Sequence, residues 1–220
     1  MEKLSPTMED YLKTIYRLCE REGAATTTGV AAALEVTPAS VTGMIKKLAE
    51  MKLVRHTPYQ GVELTKSGEK IALEIVRHHR LLELFLMEAL GYTWDEVHAE
   101  ADVLEHVISE EFEERMAARL GHPTIDPHGD PIPARDGSFT ALKERALLAM
   151  QVGESAQITH LNDTNPEMLR YAASLGLTPA THLTLIEAEP FGGSLRVRIG
   201  KIEKSIGREL AAQIFVSSKD

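Results

Sequence analysis

Apolar residues recur at helical spacing from the start of the chain: Tyr11, Leu12, Ile15, Leu18 and Cys19 share one face. Ser5-Pro6 followed by Glu9 and Asp10 supplies a cap, a first-turn proline and acids at the positive end of the helix dipole, and Gly23 ends the run. Thr26, Thr27 and Thr28 lead into a short helix with Val30, Ala31 and Leu34 on one side. After a turn at Val36-Thr37-Pro38, Val41, Ile45, Leu48 and Met51 mark a third helix whose Ser40, Thr42, Lys46 and Lys47 point outward. Two short helices joined by a tight turn form a helix-turn-helix pattern. LVRHTPYQGVELT then reads as two short strands around Pro58, Tyr59, Gln60 and Gly61, the wing of a winged helix.

Ser67-Gly68 opens a long helix, EKIALEIVRHHRLLELFLMEAL, ending near Gly91, and residues 94–120 supply a further helix or helix pair. Residues 121–137, rich in proline and glycine, read as an extended linker. Beyond it ESAQITHL, THLTLIEAE, GSLRVRIG and QIFVSS read as short strands, with one helix in NPEMLRYAASLG. The expected fold is mainly α with a small β domain. A winged helix-turn-helix spans residues 1–66, a helical domain 67–121, a linker 122–144 and a small β-barrel 145–220.

At 220 residues the chain is long enough for one large domain or two small ones. No apolar run is long enough for a membrane helix and no signal segment opens the chain, so a cytoplasmic protein with no membrane partner is expected. A single cysteine, Cys19, excludes internal disulfides and multi-cysteine zinc sites. Its place among Leu12, Ile15 and Leu18 suits a core thiol. The formal net charge of −9 is uneven. Residues 1–80 hold 12 Lys and Arg against 10 Asp and Glu, residues 81–140 hold 3 against 14, and the remainder 9 against 9. The first third can therefore meet phosphates while the middle meets cations.

Within the acidic segment, VHAEADVLEHVISEEF places His98, Asp102, Glu105 and His106 at i, i+4, i+7 and i+8, one face of an α-helix. Two imidazoles and two carboxylates there form a ligand set for a divalent transition metal. Taken alone, the segment fits a solvated acidic face better. Val97, Ala101, Leu104, Val107 and Ile108 form a second, apolar face that could bury against a partner. On the long helix His79 and Glu83 repeat the imidazole–carboxylate pairing at i, i+4, with His78 about 100° away, and the first helix carries Glu9 and Asp10. Three helices presenting such groups could converge on metal.

These residues carry a resemblance. MEDYLKTIYRL, the helix-turn-helix, HHRLLELFL, VHAEADVLEHVISEE, PHGDPIP and the C-terminal strands together resemble the diphtheria-toxin-repressor family of metal-dependent transcriptional regulators. That family includes the iron-dependent regulators and the manganese-transport regulators. The resemblance covers the whole chain and implies an SH3-like, FeoA-like C-terminal domain. It implies a regulatory metal site of Asp10, Asp102, Glu105 and His106, and an ancillary site of His79, Glu83 and His98, giving two ions per subunit. Asp163, Asn165 and Glu167 are the nearest further oxygen donors, although NDTNPE is also a capped helix start. Iron-type members have methionine and cysteine where this chain has Asp10 and Asp102. Two carboxylates in their place make the site harder, which favours Mn(II) over Fe(II). Manganese-type members carry glutamate where this chain has Lys13, so their close two-metal cluster is not expected here.

The resemblance thus implies a Mn(II)-activated repressor of metal-uptake genes, a homodimer on a palindromic double-stranded operator, with no enzymatic activity and no small organic substrate. Thr37, Pro38, Ala39, Ser40 and Thr42 would approach bases, while Lys46, Lys47, Tyr59 and Gln60 would meet the backbone. Gly43 leaves the reading helix without a side chain there, so DNA shape is expected to carry part of the specificity. The alternatives are an Fe(II)-dependent regulator of the same family, a helical metallohydrolase, and a winged-helix regulator of an organic ligand with a merely solvated stripe. Turnover without DNA affinity would mark the second, and DNA binding indifferent to metal the third.

Overall fold

The computed structural model describes residues 4–57, 61–162 and 165–217. Helix α1 (Pro6–Glu22) starts where the Ser5 hydroxyl accepts the Met8 amide and ends at Gly23, whose φ of 76° is left-handed backbone. Helix α2 (Thr27–Ala33) is capped by Thr26, and α3 (Pro38–Glu50) by Thr37 with Pro38 in its first turn. Strands β1 (Val54–Thr57) and β2 (Gly61–Leu64) pair antiparallel, Val54 opposite Leu64. A Cβ on Gly61 would lie 2.7 Å from the Ala25 carbonyl oxygen, so only glycine lets β2 pass that close. Leu12, Ile15, Val30, Val41, Leu48 and Val62 form the core of this winged helix.

Helix α4 (Lys66–Leu90) follows, then α5 (Val97–Leu104) and α6 (Glu110–Arg119). The chain divides into two compact units, and the division falls inside α4. The first holds the winged helix, α4 up to His78, Glu105–Ile108 and Pro133–Ser138. The second holds the remainder.

In the second unit, β3 (Glu144–Ala146), β4 (Ser155–Leu161), β5 (His182–Ala188), β6 (Leu195–Ile199), β7 (Ile202–Ile206) and β8 (Ile214–Ser217) form one antiparallel sheet in the order β3-β8-β4-β5-β6-β7. Two helices, α7 (Pro166–Ser174) and α8 (Arg208–Ala212), accompany it. The first half of β4 pairs with β5 and its second half with β8, with a register shift between Ile158 and His160 that curves the strand. Leu147, Ile158, Leu183, Val197, Ala211 and Ile214 fill its core. The expected barrel is thus a curved six-stranded sheet, whose ends β3 and β7 are not paired with each other among the described residues. No helix among the described residues is long and apolar enough to cross a membrane.

One expectation about the stripe is overturned. Helix α5 stops at Leu104, because Ser109 takes up extended backbone and caps α6 by accepting the Phe112 amide. Glu105 and His106 therefore lie in the intervening turn, not one helical step beyond Asp102. The apolar face ends there too: Val97 and Ala101 are buried, whereas Val107 is 71% exposed.

Candidate metal centres and nucleic-acid interface

Because the stripe breaks, its members fall into two clusters. In the first unit His106 meets the start of α1: Nε2 lies 3.0 Å from Asp10 Oδ1 and 3.5 Å from Glu105 Oε1. The other ring nitrogen, Nδ1, is 2.7 Å from Glu9 Oε2. A carboxylate on Nδ1 holds the proton there and leaves the Nε2 lone pair facing Asp10 and Glu105. Donors bound to one ion at roughly 2.1 Å in cis positions sit about 3 Å apart, so these three ligand atoms suit a single divalent cation. Glu105 is fully buried, and Lys13 Nζ lies 2.6 Å from its Oε1. A tethered ammonium thus already neutralises Glu105. His78 Nδ1 is 3.2 Å from the Glu105 carbonyl oxygen, which helps to fix the turn.

Burial pushes the Asp10 carboxyl above its ordinary range, with Glu105 adding to the effect and His106 and Lys13 opposing it. An acid whose pKa rises on folding stabilises the fold only while protonated. That contribution is complete below the unfolded value and is lost as pH rises through it toward the raised one. Asp10→Asn is therefore expected to melt above wild type in metal-free buffer at neutral pH, with the gap vanishing in acid. A Tm at or below wild type at neutral pH would contradict this.

In the second unit, His79 Nε2, His98 Nδ1 and Glu83 Oε1 form a near-equilateral triangle with sides of 2.9, 3.0 and 3.0 Å. His79 and Glu83 come from successive turns of α4, and His98 from the first turn of α5. Asp102 stands beside them, Oδ1 3.3 Å from His79 Nδ1 and Oδ2 3.7 Å from His98 Nε2. Burial alone would raise Glu83, but the charge of His79 and hydrogen bonds from His128, His79 and His98 hold its carboxyl well below the usual range. The triangle fits one ion by the same spacing argument.

Asp126 and His128, inside the segment read as a linker, were missed at the sequence level. Both are buried, with Asp126 Oδ1 accepting the His128 and Asp130 amides at 2.8 and 2.9 Å. Arg80 anchors the same turn, donating to the Pro131 carbonyl at 2.6 Å and to Asp130 at 3.2 Å. Burial, then Asp130 and Glu83, push the Asp126 carboxyl well above its ordinary range. The sequence signal for them was the close spacing of Asp126 and His128 in DPHGDP, which its prolines and glycine masked.

The remaining candidates are placed as follows. Asn165 caps α7, its Oδ1 accepting the Met168 amide at 3.0 Å, and Glu167 is exposed in that helix's first turn. Glu167 joins no cluster of potential ligands among the described residues. Asp163, Tyr59 and Gln60 lie outside the described residues. Thr37, Pro38, Ala39, Ser40, Thr42, Gly43, Lys46 and Lys47 are all exposed on α3 or at its cap. The Thr37 and Ser40 hydroxyls are 2.9 Å apart, and Thr42 donates to the Pro38 carbonyl at 2.9 Å. Cys19 is half-buried, its thiol 3.6 Å from the Val62 carbonyl oxygen and pushed up by burial, as befits a structural thiol.

Comparison with known proteins finds matches along most of the chain. Residues 3–62 match the family described as "Iron dependent repressor, N-terminal DNA binding domain". Residues 65–134 match "Iron dependent repressor, metal binding and dimerisation domain", and residues 145–218 match the "FeoA domain". The iron-dependent repressor IdeR of Mycobacterium bovis is 30% identical over 98% of this chain and 99% of its own length. The transcriptional regulator MntR of Oceanobacillus iheyensis is 39% identical over 48% of this chain and 71% of its own. A solved manganese-dependent transcriptional repressor in complex with manganese superposes with a TM-score of 0.91 at 40% identity, covering 96% of this chain and 100% of its own.

Proposed function

Since the chain belongs to the iron-dependent repressor family, with relatives named IdeR and MntR, and is a metal-dependent DNA-binding transcriptional repressor, we propose that Mn(II) is the ion that activates it. The observation that carries the choice is the regulatory cluster of Asp10, Glu105 and His106, to which the resemblance adds Asp102. All four supply hard oxygen or nitrogen atoms, with no sulfur. Carboxylate-rich sites suit manganese, and selectivity against later metals then rests on geometry and supply.

A divalent ion bound there supplies positive charge to carboxylates that otherwise repel. The chain's own residues convert that into a switch. Asp10 sits in the second turn of α1, the helix that packs the reading head, while Glu105 and His106 sit in the turn after α5. Glu9 orients the imidazole, and His78 steadies the Glu105 backbone. Drawing these groups together holds α1, and with it α3, in one position. A population shift worth about 3 kcal/mol, on the order of a hundredfold in affinity, makes a useful response. The repressor acts in the cytoplasm as a homodimer, on a palindromic operator of metal-uptake genes. Exposed Leu90, Val103 and Phe112 on the helices of the second unit support self-association. The C-terminal sheet closes as an SH3-like barrel in this reading.

Selection from random duplex DNA with Mn(II) and with chelator tests this reading, the expected product being a dyad-symmetric site enriched only with Mn(II). Enrichment independent of metal would reject it. Gly43 gives a sharper check. A Cβ there meets nothing within 4 Å, so packing does not call for glycine. Gly43→Ala is therefore expected to stabilise the fold by roughly 0.5–1 kcal/mol while weakening operator binding, because the methyl group stands between α3 and the bases. Unchanged or tighter operator binding would show that α3 does not approach DNA at this point.

A further inference from the structure

Lys13 stands one helical turn beyond Asp10 on α1 and is only 5% exposed. Lysine is almost never buried so deeply unless it is paired. Its Nζ lies 2.6 Å from Glu105 Oε1, and the Glu105 side chain is fully enclosed. Oε1 is also the Glu105 atom that faces the cluster, 3.5 Å from His106 Nε2, the nitrogen turned toward Asp10. Ammonium and cluster therefore share a single oxygen. An ion bonded to that oxygen at roughly 2.1 Å stands less than about 5 Å from Nζ. Burial leaves the repulsion between two such cations poorly screened. The field of the ammonium also reaches Asp10: burial pushes that carboxyl up, and Lys13 is one of the charges that oppose it. Glu105 needs a cation, because a buried carboxylate without one is costly, but the repulsion admits one at a time.

We infer that Lys13 is the resident counter-ion of Glu105 in the metal-free protein, and that metal binding is an exchange in which the divalent ion takes Oε1 as the ammonium leaves it. The inference rests on the reading of Asp10, Glu105 and His106 as a metal cluster, and it names the residue that sets the threshold of that cluster. Without metal, the ion pair spares the fold a buried uncompensated charge. It neutralises Glu105 alone and leaves Asp10 for the ion to draw in. An arriving ion must displace a cation tethered on the same helix as Asp10, so only the difference between the two bonds appears as affinity. Once displaced from Glu105, the ammonium turns outward to water. Weakly held cations are thereby kept out of the cluster, and the metal-free protein stays folded.

Mn(II) is the probe, and the full-length chain is used throughout. Lys13→Gln removes the charge but keeps an amide that can donate to Glu105, whereas Lys13→Arg keeps the charge. In titration calorimetry, the transition absent from His106→Ala identifies the regulatory cluster. Lys13→Gln is expected to bind Mn(II) there about tenfold or more tightly than wild type, and Lys13→Arg no more tightly. Lys13→Gln should also melt below wild type in chelator and regain the wild-type Tm at saturating Mn(II). In wild type itself, acetic anhydride is expected to spare Lys13 in chelator and to acetylate it several-fold more on Mn(II) loading, as read by mass spectrometry. Should Lys13→Gln not fold, this labelling decides alone. An affinity in Lys13→Gln equal to or weaker than wild type, a Tm deficit of the same size with and without Mn(II), or equal labelling of Lys13 in the two states would overturn the exchange. Ion and ammonium would then sit on Glu105 together, and Lys13 would be structural only. Loading of the cluster by Fe(II) at a lower free concentration than Mn(II) would count against manganese and leave the exchange standing.

Discussion

His106→Ala is expected to leave a folded protein whose operator affinity no longer responds to metal, a loss of about a hundredfold at saturating Mn(II). The imidazole touches both sides of the regulatory cluster. It meets Asp10 and Glu9 on α1, and it lies beside Glu105 in its own turn. Removing it leaves Asp10 half-exposed and Glu105 paired with Lys13, neither of which buries an uncompensated charge, so the fold survives. Asp102→Ala should give the same loss if the resemblance assigns that carboxylate correctly. Gel-shift titration with Mn(II), alongside a thermal melt, reads both effects. Wild-type stimulation by Mn(II) in these variants would refute the assignment.

Gly129→Ala carries the largest expected effect on stability. Gly129 has a φ of 96°, and a Cβ there would lie 2.0 Å from the Thr159 carbonyl oxygen and 2.9 Å from the His160 side chain. The strained backbone alone costs about 1–3 kcal/mol in a residue other than glycine. The clash is with main chain and cannot be relieved by a rotamer, so a total beyond about 3 kcal/mol is expected. The turn must lift from β4, carrying Asp126 and His128 with it. Calorimetry should show a marked fall in Tm. A variant that melts within a degree or two of wild type would mean that the turn is not seated on β4 as described.

The winged helix was legible because its information is local. Apolar spacing, threonine caps and prolines at helix starts specify α1 to α3 without help from distant residues. The stripe was legible only up to Asp102. Ser109, followed by Glu110, Glu111 and Glu113, is itself a helix-start signal, and giving it weight would have broken the helix before Glu105 and His106. Strand β7 escaped notice because IEKSI buries only Ile206 fully and lacks a strong apolar alternation. Asp126 and His128 were the hardest to see. Their burial is decided by Glu83, Trp94 and Thr159, each more than 30 residues away in sequence, whereas Pro127 and Gly129 beside them read as a turn. Buried polar residues in such a turn become visible only once the elements around them are in place.

The most direct test of the switch is operator binding by the full-length protein at controlled free concentrations of Mn(II), Fe(II) and Zn(II). The expected result is weak binding in chelator and affinity about a hundredfold higher on metal loading, with Mn(II) half-activating at a free concentration no higher than Fe(II) requires. Operator binding of equal strength with and without metal would contradict the switch. Stronger activation by Fe(II) than by Mn(II) at matched free concentrations would contradict the choice of ion.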